Sequence, residues 1–190
     1  METNRPTTEQ LKEELNRARR GEEYRRTLRS TVYILLIVAA AAILTATLWL
    51  PFLQVTGTSM EPTLETGQIV VALKNSSFRK GEIVAFYYNN KVLLKRVIGN
   101  PGDIVDIRED GTVTVNGEEL NEPYLSEKSY GNVDITLPYQ VPDGRIFVMG
   151  DHRATSADSR LSAIGCIPKE NIVGKVAYRI WPLSKSGMIR

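Results

Sequence analysis

Glu82-Ile83-Val84-Ala85-Phe86-Tyr87-Tyr88-Asn89-Asn90-Lys91-Val92-Leu93-Leu94-Lys95-Arg96-Val97-Ile98 decides the fold. Two runs of β-branched, aromatic and aliphatic residues flank a two-residue Asn-Asn turn, and asparagine tolerates the left-handed backbone that a tight antiparallel hairpin requires. The same punctuation continues outward. Short apolar runs separated by Gly, Asn, Asp and Pro predict strands near 68–74, 82–88, 91–98, 103–109, 112–115, 145–149 and 172–180, with further tight turns at Asp110-Gly111 and Asn116-Gly117. Residues 121–143 interrupt this rhythm with polar sequence, three prolines and no clear period, which predicts an extended surface excursion. The expected fold class is mainly β, with an antiparallel β-sheet domain over residues 54–190.

Ahead of that domain, residues 31–53 carry no charged side chain and are dominated by Ile, Leu, Val and Ala. About 20 such residues cross a bilayer as one helix. A secretory leader has an apolar core of only about 7 to 15 residues, so a retained single-pass anchor is expected rather than a cleaved one. Tyr33 and Trp49 sit near its ends, where interfacial aromatics belong. Arg17, Arg19, Arg20, Arg25, Arg26 and Arg29 precede the span, and no Lys or Arg follows until Lys74, which orients residues 1–30 to the cytoplasm and the β domain to the other side. Residues 7–29 read as a polar helix opened by a capping box of Thr7 and Gln10 and interrupted at Gly21, a solvated stub that helps set topology.

Composition removes several classes of function. The chain has 190 residues and a formal net charge of +2, with acidic and basic residues intermixed, so it lacks the concentrated basic face that nucleic acid requires. Cys166 is the only cysteine, which excludes an intrachain disulfide and a cysteine-rich zinc cluster.

Within the hairpin, Lys95 lies among apolar neighbours. On a strand, Leu93 and Val97 share its face while Val92, Leu94 and Ile98 share that of Arg96, so alternation alone does not choose between the two cations. Chemistry does. Arginine does not deprotonate in proteins, so only Lys95 can act as a base, and Arg96 is left for ion pairing or hydrogen bonding. At its ordinary pKa about one lysine in 2,500 is neutral at pH 7, and lowering the pKa to about 8 costs on the order of 3 kcal/mol of desolvation. The strand taken alone reads more readily with a lysine that snorkels its amine to the surface. Upstream, Gly57-Thr58-Ser59-Met60-Glu61-Pro62-Thr63-Leu64 places Ser59 in a loop just past the apolar span, and a serine needs a base before it attacks a carbonyl. Taken alone, that serine reads as a loop cap. A third cluster, Phe147 to Arg160, ends an apolar strand in Asp151, His152, Arg153, Ser156, Asp158 and Arg160, groups able to orient an amine and to brace one another.

The three clusters together resemble the type I signal peptidases, membrane-anchored serine/lysine proteases that remove signal peptides from exported proteins. Residues 57–64 are similar to the nucleophile box, residues 95–105 to the lysine box and residues 150–160 to the C-terminal acidic and serine box, in the family's order and after an anchor. The resemblance runs through Trp181-Pro182-Leu183, and the size and single span look Gram-positive. It implies Ser59 as nucleophile, Lys95 as general base and Ser156 as a hydrogen-bond partner that orients the lysine amine. It also implies a supporting ion pair of Asp158 with Arg160, Asp151 and Arg153 in the same structural loop, Met60 beside the site, and no metal or organic cofactor. The Ser59 N–H would donate to the oxyanion, where a preorganised donor is worth about 3 kcal/mol.

Two positions depart from the family. Gly57 stands where Gram-negative relatives carry a serine whose hydroxyl completes the oxyanion hole, which leaves that donor to Thr58 or a water. His152 stands where relatives commonly have Asn, and is expected to replace its hydrogen bond rather than act in catalysis.

Six residues separate Leu53 from Ser59, a reach of roughly 20 Å when extended, so the nucleophile is expected to work beside the membrane, where an embedded signal peptide presents its cleavage site. By resemblance, an exported preprotein would add as a strand with small residues in shallow pockets, for which Val55, Leu64, Val70 and Leu94 are the candidate lining. Proximity to the export machinery follows from the same placement. The alternatives are a sortase-like transpeptidase using Cys166, His152 and Arg160, against which the apolar context of Cys166 argues, and a non-catalytic membrane-tethered binding module.

Overall fold

The computed structural model describes residues 8–74 and 77–189. Its N-terminal unit is helix α1, Thr8–Trp49. Thr7 of the expected capping box lies outside the described residues. The helix runs through Gly21 without interruption, since one glycine costs a long helix only about 1 kcal/mol. Its Glu23–Thr45 stretch is long and apolar enough to cross a membrane. Two hydroxyls within it are satisfied internally, Thr31 donating to the Thr27 carbonyl at 2.9 Å and Thr45 to that of Ala41 at 2.8 Å, as an apolar solvent demands. The apolar run extends to Leu53 in the sequence, but the helix ends at Trp49. Pro51 disfavours helical backbone at the residue before it, and the chain passes into a strand instead.

The second unit is the β domain. Its strands are β1 Phe52–Gln54, β2 Ile69–Leu73, β3 Ile83–Tyr88, β4 Lys91–Gly99, β5 Ile104–Ile107, β6 Val113–Val115, β7 Glu118–Glu119, β8 Tyr139–Gln140, β9 Arg145–Met149, β10 Ile167–Pro168, β11 Ile172–Trp181 and β12 Gly187–Met188. All seven expected strands are present with ends displaced by at most two residues. The other five are two or three residues long, too short for any alternation to register.

The larger sheet runs β1-β2-β11-β3-β4-β9-β10, with β12 added to β11, and a smaller sheet runs β7-β6-β5-β8. Every pairing is antiparallel, and the β3–β4 hairpin sets Val84 opposite Lys95 and Ile83 opposite Arg96. Its turn has φ of 45° at Asn89 and 62° at Asn90, the doubly left-handed geometry that the Asn-Asn pair permits.

Three apolar clusters hold the domain. One lies beneath the loop after β1 and contains Val55, Met60, Leu64, Val70, Ala72, Ile83, Ala85 and Val176. A second joins Val84, Phe86, Val97, Ile146, Val148 and Ile167. The third packs Ile98, Phe147 and Met149 from the large sheet against Val105, Ile107, Val113 and Val115 of the small one. Residues 121–143 are mostly irregular, as expected, yet they are not confined to the surface. Val141 is buried, and the Glu122 side chain is 1% exposed.

Candidate active site

Sheet topology creates the site by leaving two strand edges open. β4 pairs with β3 along Lys91–Arg96 but meets β9 only from Arg96 onward, so Val92 to Lys95 lack a neighbour on that side. β1 is the outermost strand at its end of the sheet. Its continuation, Gln54 to Gly57, together with Ser59, Met60 and Val92 to Lys95, encloses a cavity of about 60 Å³. That is several times the space one water needs and far below a drug-sized pocket, so the cavity suits a small side chain.

The loop around Ser59 is shaped by its own backbone bonds. Glu61 N–H donates to the Thr58 carbonyl at 3.0 Å and Leu64 N–H to that of Met60 at 2.8 Å, which coils the chain tightly after Ser59. Gly57 enters this turn at φ +84°, a conformation any Cβ would strain, so the glycine is a backbone requirement here. Thr58 is exposed. Ser59 is fixed from the other side, where the His152 N–H donates to its carbonyl at 3.1 Å. Its own N–H has no acceptor among the described residues and remains free to bind an oxygen.

Lys95 and Ser59 meet. The lysine amine and the serine Oγ are 2.6 Å apart, and Lys95 is only 4% exposed. Burial pushes the amine down from 10.5 to about 8, with Asp158 and Asp151 pulling it partly back up and Arg160 pushing it further down. No carboxylate pairs with it directly, so desolvation prevails and about one molecule in ten holds a neutral amine at pH 7.

Gly150 stands behind the pair. A Cβ built there would lie 2.4 Å from the Ser59 carbonyl oxygen and 2.2 Å from Ser156 Oγ, so only glycine lets the third loop approach this closely. Ser156 is buried, but its hydroxyl has no hydrogen-bond partner among the described residues. The bond from Ser156 to the Lys95 amine is therefore absent here, and the amine is engaged by Ser59 alone.

The neighbouring cations are treated oppositely. Arg96, 1% exposed, makes a two-pronged contact with Asp151 at 2.9 and 2.7 Å, donates to the Gly81 carbonyl, and lies 3.7 Å over the Tyr124 ring. Thr63 from the Ser59 loop donates to the same Asp151 carboxylate. Arg160 makes a two-pronged contact with Asp158 at 2.9 Å and donates to the carbonyls of Tyr130 and Arg153, while Asp158 accepts the Gly150 N–H at 2.9 Å. Arg153 donates to the Gly150 carbonyl at 3.1 Å and forms a buried ion pair with Glu122.

Glu122, Tyr124 and Thr63 were not legible as site residues. Glu122 and Tyr124 lie in sequence without period, and only their contacts reveal that they grip two buried arginines. Among the four expected lining residues, Val55 and Leu94 do border the cavity. Leu64 and Val70 are corrected: both are fully buried in the apolar cluster beneath it, because the coil after Ser59 turns Leu64 inward and β2 presents Val70 to the same core. Cys166 is buried, with its thiol pushed up to about 11 by desolvation, which is the environment of an inert thiol. Among the described residues, no group of His, Cys, Asp and Glu side chains is arranged to hold a metal ion.

Comparison with known proteins identifies the family. Residues 27–181 match the family described as signal peptidase, peptidase S26. The chain is 38% identical over 165 residues to a signal peptidase I of Bacillus licheniformis, covering 80% of this chain and 87% of that one. It is 41% identical over 150 residues to a signal peptidase IB of Staphylococcus aureus (strain COL), covering 68% and 76%. A signal peptidase I crystal structure from Enterococcus faecalis V583 is 31% identical and covers 53% of this chain and 97% of its own, at a TM-score of 0.47.

Proposed function

The chain belongs to the signal peptidase family, peptidase S26, as a signal peptidase I enzyme, and on that premise we propose that it is a membrane-bound serine endopeptidase that cleaves exported preproteins after small residues, with Ser59 as nucleophile and Lys95 as general base. The observation that carries this reading is the 2.6 Å contact between the serine hydroxyl and a buried amine with no paired carboxylate.

In this mechanism the preprotein enters between the open edges of β1 and β4 as an added strand, and a small side chain fills the cavity beside Val55 and Leu94. Neutral Lys95 takes the Ser59 proton as Oγ attacks the carbonyl carbon. The charge that develops on the oxygen is met by the Ser59 N–H, a contribution of about 3 kcal/mol when such a donor is preorganised. The lysine ammonium then protonates the departing amine. A water deprotonated by Lys95 next attacks the acyl-enzyme, which releases the signal peptide and restores the serine. Helix α1 would hold the domain at the bilayer with its N-terminus in the cytoplasm, as the arginines before the span dictate.

The test is mass spectrometry of a preprotein with an Ala-x-Ala site after incubation with the detergent-solubilised full chain. A single cut after the second alanine is expected, lost in Ser59→Ala. An intact preprotein, or cleavage by purified Ser59→Ala, would overturn the reading.

A further inference from the structure

The cavity between β1 and β4 accommodates the peptide on one side of the scissile bond, and the chain on the other side must leave past Ser59. A second depression lies beside the Ser59 loop. It is an open groove of about 390 Å³ bordered by Glu61, Pro62, Glu65, Ser126 and His152, and it shares no residue with the first cavity. Two connections tie it to the nucleophile. Glu61 follows Ser59 by two residues, and the His152 N–H is bonded to the Ser59 carbonyl at 3.1 Å, so two lining residues of the groove are tied directly to Ser59. The coil at residues 58–64 sends Met60 and Leu64 into the core, with 2% and 0% exposure, and this turns the intervening Glu61 and Pro62 outward to the groove. An extended peptide advances about 3.3 Å per residue, so its second residue after the cut lies roughly 7 Å past the scissile bond, a step comparable with that from Ser59 to Glu61.

The electrostatics of the groove are uneven. Glu65 is neutralised by Lys185 at 2.7 Å, whereas Glu61 forms no ion pair among the described residues. His152 bonds through Nδ1 to the Thr155 hydroxyl at 2.8 Å, which leaves its other ring nitrogen unengaged. One uncompensated carboxylate therefore faces the path of the segment that becomes the new N-terminus, and its amine is itself cationic once released.

We propose that this groove receives the first residues of the mature protein and that Glu61 is a specificity-determining residue there, favouring a basic side chain over an acidic one within two residues after the cut. The proposal rests on the peptidase reading above. The measurement is kcat/KM of the full chain in detergent for two preprotein peptides identical except for Lys or Glu at the second position after the cut, with the cut bond verified by mass spectrometry. The Lys/Glu ratio is expected to be about fivefold in the native chain, as a half-exposed attraction exchanged for a repulsion provides, and to fall as salt is raised. Glu61→Gln should bring it close to one, and Glu61→Lys should take it below one. A native ratio near one, or the same ratio in all three proteins, overturns the groove assignment while leaving the peptidase reading intact. Failure of the native chain to cleave either peptide overturns both.

Discussion

Two adjacent residues of β4, Lys95 and Arg96, are buried almost equally and live in opposite worlds. Arg96 is surrounded by a carboxylate, a carbonyl, a hydroxyl and an aromatic face, and stays charged as part of the scaffold. Lys95 is given one serine hydroxyl and no directly paired carboxylate. Asp151 and Asp158 are near enough to pull its pKa upward, but each is committed to an arginine. The difference teaches that the site is made as much by withholding a counter-ion as by supplying a base. The scaffold keeps its charges by pairing them, and the Lys95 amine, proposed as the base, is made ready to lose its proton by being denied that pairing.

Exchanging the character of the unpaired cation should have the largest effect. Lys95→Arg keeps the charge but offers no removable proton, so turnover of a preprotein should fall by about 10⁴-fold or more in a chain whose circular dichroism is unchanged. Lys95→Met should be equally inactive yet more stable at pH 7 by about 1–3 kcal/mol in denaturant unfolding, because an apolar side chain of similar shape removes a desolvation cost. That gain depends on pH. With a folded pKa of about 8 against 10.5 for the free side chain, the cost is fully present below pH 8 and lifts as pH rises toward 10.5. The stability advantage of Lys95→Met should shrink over that window, and an advantage that stays constant would contradict the pKa assigned here.

The paired cations should respond with the opposite sign. Glu122→Ala strips the buried partner from Arg153, whose guanidinium also holds the Gly150 carbonyl against the Ser59 loop. A cost of about 3–5 kcal/mol is expected, read as a lowered midpoint in denaturant, because an unpaired buried charge is what remains. A loss below about 1 kcal/mol would place this pair among solvent-screened ones and blur the contrast between scaffold and base.

How far the sequence foretold this arrangement depends on the kind of signal each residue leaves. The β3–β4 hairpin was legible because alternation and the Asn89-Asn90 turn are local properties, whereas Ser59 and Lys95 each read blandly alone and were singled out only by the three clusters occurring together in the family's order. Glu122 and Tyr124 left no local trace, since their role comes from long-range contacts with Arg153 and Arg96. Leu64 and Val70 were misjudged for a related reason: an apolar residue beside a site reads the same whether it lines the cavity or lies beneath it, and only the coil after Ser59 decides. Phe52 and Leu53 were absorbed into the apolar helix because hydropathy does not distinguish the end of a span from a strand that follows it, although Pro51 marked the boundary. Ser156 was named from the family pattern, but a hydroxyl's partner depends on tenths of an ångström that no pattern encodes, and among the described residues it has none.

The central claim is that the Lys95 amine is shifted far enough by burial to serve as a base near neutral pH. Its direct test is an NMR titration of the Lys95 side chain in the full chain with labelled lysine, assigned by the signal missing in Lys95→Met. A midpoint of about 8 is expected, matched by a rise of kcat/KM over the same range; a midpoint near 10.5, where an ordinary lysine titrates, would contradict the shift.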